Sequence, residues 1–289
     1  MVRTYAGIPE ENAKFETAKV VLLPVPYDET STWGKGADNG TEAFLEASEN
    51  MELYDLETDT EVYQHGIFLA DTLICDKKPE IMVQQVKSEA LKYMKTGKLF
   101  SMIGGEHSIS IGAIMAAKEK FGNISVLQLD AHSDLRESYL GSEFNHACAM
   151  HWASKNTKLV QVGIRSSDSS EKPFFKKENM FLAENIVHMQ HWQDCVIDKL
   201  TEQNVYLTID LDYFDPSILP GTGTPEPGGL FWYETLELLK KLIAQKTIIG
   251  FDIVELAPIN NNKISEFLTA KLYYKILTYI FELKNNEES

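Results

Sequence analysis

The chain has 289 residues, with 27 basic against 43 acidic side chains, a formal net charge of −16 and a pI near 4.9. An acid surplus of this size repels a phosphate backbone and sets nucleic acid aside as a partner. No run of about 18 apolar residues is present to span a membrane, and the opening Met1–Gly7 stretch lacks the apolar core of a signal peptide.

The remaining 44% hydrophobic content suffices for a full core, so a globular α/β protein is expected. Cys75, Cys148 and Cys195 form no CxxC or paired pattern, which suits reduced thiols and a cytoplasmic setting.

Apolar, β-branched runs alternate with helical patterns along the chain. A strand is expected over 20–24, then a turn-rich loop over 28–41 and a helix over 41–48. A strand over 67–69 precedes a helix over 79–96. A strand over 99–103 precedes a helix over 109–121. A strand over 124–130 is followed by a helix over 146–154. Strands over 159–163 and 186–188 lead to a helix over 190–200. A strand over 205–210 leads into a loop over 215–229, rich in proline and glycine. A helix over 232–244, a strand over 248–253 and a helix over 265–281 complete the series. Runs such as SVLQLD and IIGFDIV are apolar on both faces, as a sheet covered on both sides requires. The βαβ alternation predicts a parallel sheet in a three-layer α/β/α sandwich, read as a single domain over 1–289.

Polar residues cluster at the carboxyl ends of these runs, where open α/β sheets place their ligands. Gly104-Gly105-Glu106-His107 follows one strand and Asp130-Ala131-His132-Ser133-Asp134 another. Asp210-Leu211-Asp212 ends a third, and Glu255 a fourth. In extended backbone, residues two apart face the same way, so Asp130 with His132, and Asp210 with Asp212, should converge. Acids gathered so closely repel one another unless cations lie between them. Carboxylates with imidazole and no thiolate suit Mn, Mg, Fe, Co, Ni or Zn. Four aspartates balance two divalent ions.

These residues resemble the arginase/agmatinase family of binuclear manganese ureohydrolases. The matching segments are GGEHS (104–108), DAHSD (130–134), the histidine of SEFNHA (146), TIDLDYFDPS (208–217), GTGTPEPGG (221–229) and DIVELAP (252–258). The resemblance implies an eight-stranded parallel sheet, two Mn²⁺ per subunit, and hydrolysis of a guanidine to urea and an amine by hydroxide bridging the metals. It also implies a trimer or hexamer. His107, Asp130, Asp134 and Asp210 would hold one ion, and Asp130, His132, Asp210 and Asp212 the other. Asp134 would aim the hydroxide, His146 would shuttle a proton, Glu255 would receive the guanidinium, and Thr224 would lie beside it. Position 106 departs from the family's usual Asp, and Asp38, Thr41 and Leu45 stand where an Arg, a Pro and an Arg are customary.

The substrate is read from the segment before His146. Phe144 stands where arginases carry an Asn that meets an α-carboxylate, and Glu143 adds a negative charge. A small cationic guanidine is therefore expected, namely agmatine giving putrescine and urea. Glu143 and Asp168 are the candidates for its amine end. Arginase, guanidinobutyrase or guanidinopropionase activity is the alternative, with a one-zinc deacetylase-type hydrolase and a non-catalytic metal-binding homologue behind it.

Overall fold

Eight short apolar segments form one all-parallel sheet in the computed structural model, which describes residues 3–283. The domain expected over 1–289 also takes in residues 1–2 and 284–289, which lie outside the described part. The strands are β1 Val20–Val25, β2 Ile67–Leu69, β3 Leu99–Gly104, β4 Ser125–Leu129, β5 Lys158–Ile164, β6 Met180–Leu182, β7 Asn204–Asp210 and β8 Thr247–Val254. The helices are α1 Gly40–Ser48, α2 Pro79–Met94, α3 Ile109–Phe121, α4 His151–Asn156, α5 Ala183–Ile186, α6 Trp192–Lys199, α7 Trp232–Gln245 and α8 Ile264–Thr278.

Alternate residues of each strand feed two separate cores. Leu22, Ile103, Leu127, Leu207 and Phe251 pack with α1, α6, α7 and α8 on one face. Val21, Met102, Val126 and Tyr206 pack with α2, α3 and α4 on the other. This is the three-layer sandwich that the doubly apolar strands require.

The strand order is β2-β1-β3-β8-β7-β4-β5-β6. It sets the four acid-bearing strands β3, β8, β7 and β4 side by side. Their register is level: Ile103 faces Ile253, Ile253 faces Ile209, and Ile209 faces Leu129. The residues that follow therefore emerge together at one rim of the sheet.

Two expected elements differ. The edge strand is Met180–Leu182 and not 186–188; Ile186 closes the short α5, and Val187 is 71% exposed. The helix expected over 146–154 is split into a 3₁₀ turn, His146–Cys148, and α4.

Gly105 makes the rim possible. A methyl group at that position would stand 1.8 Å from the Tyr27 carbonyl oxygen, which accepts from Glu106 N at 2.8 Å. Gly105→Ala should cost about 3 kcal/mol through this overlap and lower Tm by about 6 °C. Thermal denaturation checks this, and an unchanged Tm would contradict the close approach.

Candidate active site

The rim residues converge on a buried cluster. His107 Nδ1 lies 3.1 Å from Asp130 Oδ2, 3.0 Å from Asp134 Oδ2 and 3.4 Å from Asp210 Oδ2. His132 Nδ1 lies 2.8 Å from Asp212 Oδ2 and 3.7 Å from Asp130 Oδ1. His107, Asp130 and Asp210 form one set whose ligand atoms lie within 4.8 Å of one another, and Asp130, His132 and Asp212 form a second. Asp130 is common to both; Asp210 belongs to the first set alone.

The donor set fits two cations. His107 Nδ1 is buried and makes no hydrogen bond, although three carboxylate oxygens surround it. An orphaned imidazole nitrogen ringed by carboxylates is what a metal ligand presents. Its other nitrogen is fixed from behind. Thr208 Oγ1 donates to Asp252 Oδ1 at 2.6 Å and so can only accept from His107 Nε2, 2.9 Å away. Tyr206 and Ser110 also donate to Asp252. The chain Asp252–Thr208–His107 thus turns Nδ1 toward the acids, where it can bind a cation once its proton is lost. Gln128 Nε2 donates to Asp130 Oδ2 at 2.6 Å and is itself held by Gln161.

Electrostatics agree with that reading. Burial opposes charge on His107, but Asp130, Asp134 and Asp210 override it and raise His107 well above its ordinary value. Burial likewise opposes charge on His132, yet Asp212 leads the carboxylates that raise it to about 11. Burial, then Asp212 and Asp134, raise Asp130 to about 7. Burial and the same kind of crowding push Asp210 well up. In the metal-free protein these shifts favour protons where cations would otherwise balance the acids.

Local backbone, more than strand alternation, aims the acids. Leu211–Tyr213 is a 3₁₀ turn, so Asp212 reaches the cluster by a turn capped by Asp210 and not along an extended strand. Asp134 and Glu255 sit at φ +52° and +65°, a left-handed conformation that costs such residues on the order of 1–3 kcal/mol. Glu255 Oε1 accepts from His107 N at 2.7 Å, and Glu255 N donates to Gly105 O. Burial first, and Glu106 next, raise Glu255 well above the carboxylate range.

A cavity of about 300 Å³ opens from the cluster, lined among others by His132, Asp134, His146, Asp210, Thr224 and Glu255. Thr224 Oγ1 lies 3.3 Å from Asp212 Oδ2. Trp33, 83% exposed, stands at its edge. Gly34 and Gly223 let two loops meet there; a methyl group on Gly34 would lie 2.5 Å from Gly223 O. Arg165 ties the second loop down by donating to the carbonyls of Asp212, Glu226 and Pro227.

Asp168 lines the cavity, beside Glu171. It also accepts from Ser170 N and Oγ, bonds that hold it below the usual carboxylate range. Glu143 does not reach the cavity. The tight Tyr139–Ser142 turn, with Leu140 and Gly141 at positive φ, leaves it exposed in a separate depression beside Trp152 and Lys155. Cys148 is buried and its thiol pushed up to about 12 by that burial, so it supplies no nucleophile.

Sequence reading missed Gln128, Thr208, Glu171 and Arg136. Arg136 contributes a guanidinium to the cavity wall, 3.6 Å from Asp168 Oδ2 and 3.8 Å from Glu171 Oε1, over the Tyr139 ring. The DLR tripeptide after the second histidine was the available signal.

The model of the arginase family matches residues 18–278. The chain belongs to the arginase family. Among its arginase-family relatives, the N(1)-aminopropylagmatine ureohydrolase of Synechocystis is 38% identical over 283 residues, covering 93% of this chain and 92% of that one. The agmatinase of Pyrococcus horikoshii is 31% identical, covering 96% and 98%. The solved agmatine ureohydrolase of Thermoplasma volcanium superposes with a TM-score of 0.87 at 29% identity, covering 95% and 94%. The eight-stranded parallel sheet is thus the arginase-type fold. Among the described residues no helix is long and apolar enough to cross a membrane.

Proposed function

We propose that this arginase-family ureohydrolase acts on linear guanidino amines, agmatine and its N1-aminopropyl derivative, and prefers the longer. Agmatine would give putrescine and urea; the extended amine would give spermidine and urea. The carrying observation is the wall of the cavity formed by Asp168 and Glu171, with Arg136 already committed to both. The two acids outnumber Arg136 on that wall, so its charge favours an ammonium over a carboxylate tail. The names of the Synechocystis and Pyrococcus relatives support both substrates, and the open edge at Trp33 leaves room for the longer one.

Two Mn²⁺ are proposed as the cofactors. His107, Asp130, Asp134 and Asp210 would hold one, and Asp130, His132, Asp210 and Asp212 the other. Such a pair, when bound, supplies a nucleophilic water at neutral pH. The chain's own residues do the rest. Glu255 receives the planar guanidinium through charge-assisted hydrogen bonds and Thr224 borders it. Asp134 accepts a hydrogen bond from the attacking water and aims it. A C–O bond forms at the guanidinium carbon, and the C–N bond to the alkyl nitrogen breaks. That nitrogen needs a proton, which His146 delivers from its ring. Burial lowers His146, so the neutral ring that collects a proton is available at neutral pH.

Urea release from agmatine, N1-aminopropylagmatine, arginine and guanidinobutyrate, with Mn²⁺ present, tests this. Both amines should exceed both acids in kcat/KM by about 100-fold, from about 3 kcal/mol of mismatched charge. A preference for either guanidino acid would remove the proposal. Faster turnover of agmatine would remove the preference for the longer amine.

A further inference from the structure

His146 is held by residues that the proposed reading leaves without a task. Thr30 Oγ1 lies 3.3 Å from His146 Nδ1 and accepts from His146 N at 3.0 Å. The same hydroxyl donates to Glu106 Oε1 at 2.6 Å. Glu106 is fully buried and also accepts from Thr30 N, Ser31 N and Ser108 Oγ at 2.6–2.7 Å. Four donors thus converge on its two oxygens.

A hydroxyl has one proton and two lone pairs. The Thr30 proton is spent on a buried carboxylate, a charge-assisted bond that outweighs a neutral one. Both lone pairs then face His146, and one is taken by its backbone N–H. The ring nitrogen at 3.3 Å completes the set only by donating. We infer that the Glu106–Thr30 pair fixes His146 as its Nδ1–H tautomer, leaving the Nε2 lone pair for the cavity, and that Thr30 is a positioning residue for the proton-transferring histidine. Asp252–Thr208 likewise takes up the Nε2–H of His107, so that Nδ1 is the nitrogen turned to the acids.

This inference rests on the reading of His146 as the proton carrier. Its structural part does not depend on the substrate. Thr30 does not line the cavity, while its neighbours Ser31, Thr32 and Trp33 do. Removing the hydroxyl should therefore affect the proton step and spare binding, whereas a displaced loop would disturb binding.

The test uses the full chain with Mn²⁺. Thr30→Val should lower kcat by about 10- to 100-fold, the range for losing a group that orients an active-site histidine, with KM within about 2-fold. Thr30→Ser keeps the hydroxyl and should restore kcat to within about 3-fold. Neutron diffraction of the wild type should show a deuteron on His146 Nδ1 and the Thr30 deuteron directed at Glu106. Wild-type kcat in Thr30→Val, or a rise in KM that accounts for its whole loss, would overturn the inference. So would a deuteron on Nε2 with none on Nδ1. If the wild type hydrolyses no guanidine, the proposed function falls, while the deuteron positions still decide the relay.

Discussion

Glu255→Gln should lose about 1,000-fold in kcat/KM for the preferred guanidine, equivalent to about 4 kcal/mol, while two metal ions per subunit remain bound. Glu255 belongs to neither cluster of potential metal ligands, so its substitution leaves those atoms in place. One of its oxygens is engaged by His107 N. In the glutamine variant the amide oxygen keeps that bond, and the NH₂ group turns to the cavity. A guanidinium has only donors, so donor would meet donor in a buried site where an unmade hydrogen bond is expensive. The charge is lost as well. Burial and Glu106 raise Glu255, which marks a carboxylate in want of a cation. Steady-state kinetics with metal analysis of the same preparation check this. A variant that keeps activity, or one that loses metal in step with activity, removes Glu255 as the guanidinium receptor.

The left-handed backbone at Glu255 and Asp134 supports the same view. Strain of this kind persists where surrounding contacts over-determine it. Asp134 is held by such contacts: Glu171 accepts from Leu135 N and from the Ser133 hydroxyl, and Met150 N donates to Asp134 O. Of the site residues, the two at positive φ are those assigned to aim the nucleophile and to receive the electrophile.

The sheet and the cluster were legible because each rests on short-range pattern. Doubly apolar runs such as VLQL and YLTI have no stable place except between helix layers, and their acids stand at the ends where such sheets open. What was not legible depends on turns and on contacts distant in sequence. Nothing local says that Asp212 arrives by a 3₁₀ turn, or that the Tyr139–Ser142 turn carries Glu143 outward. The 186–188 run has strand composition, yet Ala183-Glu184-Asn185 before it starts a helical turn and the sheet edge is taken by 180–182. Glu106 drew no role from its place in the motif. Its partners Thr30 and Ser31 lie some 75 residues away, and only the fold shows that they meet.

Metal binding should be strongly pH-dependent, with the product of the two binding constants rising at least about 100-fold for each pH unit around neutrality. A bound ion needs neutral imidazole nitrogen on His107 and His132. In the metal-free protein both rings are raised by their carboxylate neighbours, His132 to about 11. Both therefore carry a proton at pH 7 that loading must expel. Protons bind the free form and not the loaded one, so lowering the pH favours the free form and weakens binding. The window stays open upward until His132 itself deprotonates near pH 11. Asp210, also raised well above its ordinary value, adds to the release. Titration calorimetry in buffers of different ionisation enthalpy counts the protons directly, with at least two expected for the pair of ions. Saturating metal should also raise Tm by about 10 °C, from about 5 kcal/mol of linkage when each site is filled at about 100 times its Kd. Release of less than one proton would mean that the imidazoles are neutral before metal arrives. The crowding of Asp130, Asp210 and Asp212 around them would then be relieved by something other than the protons assigned here.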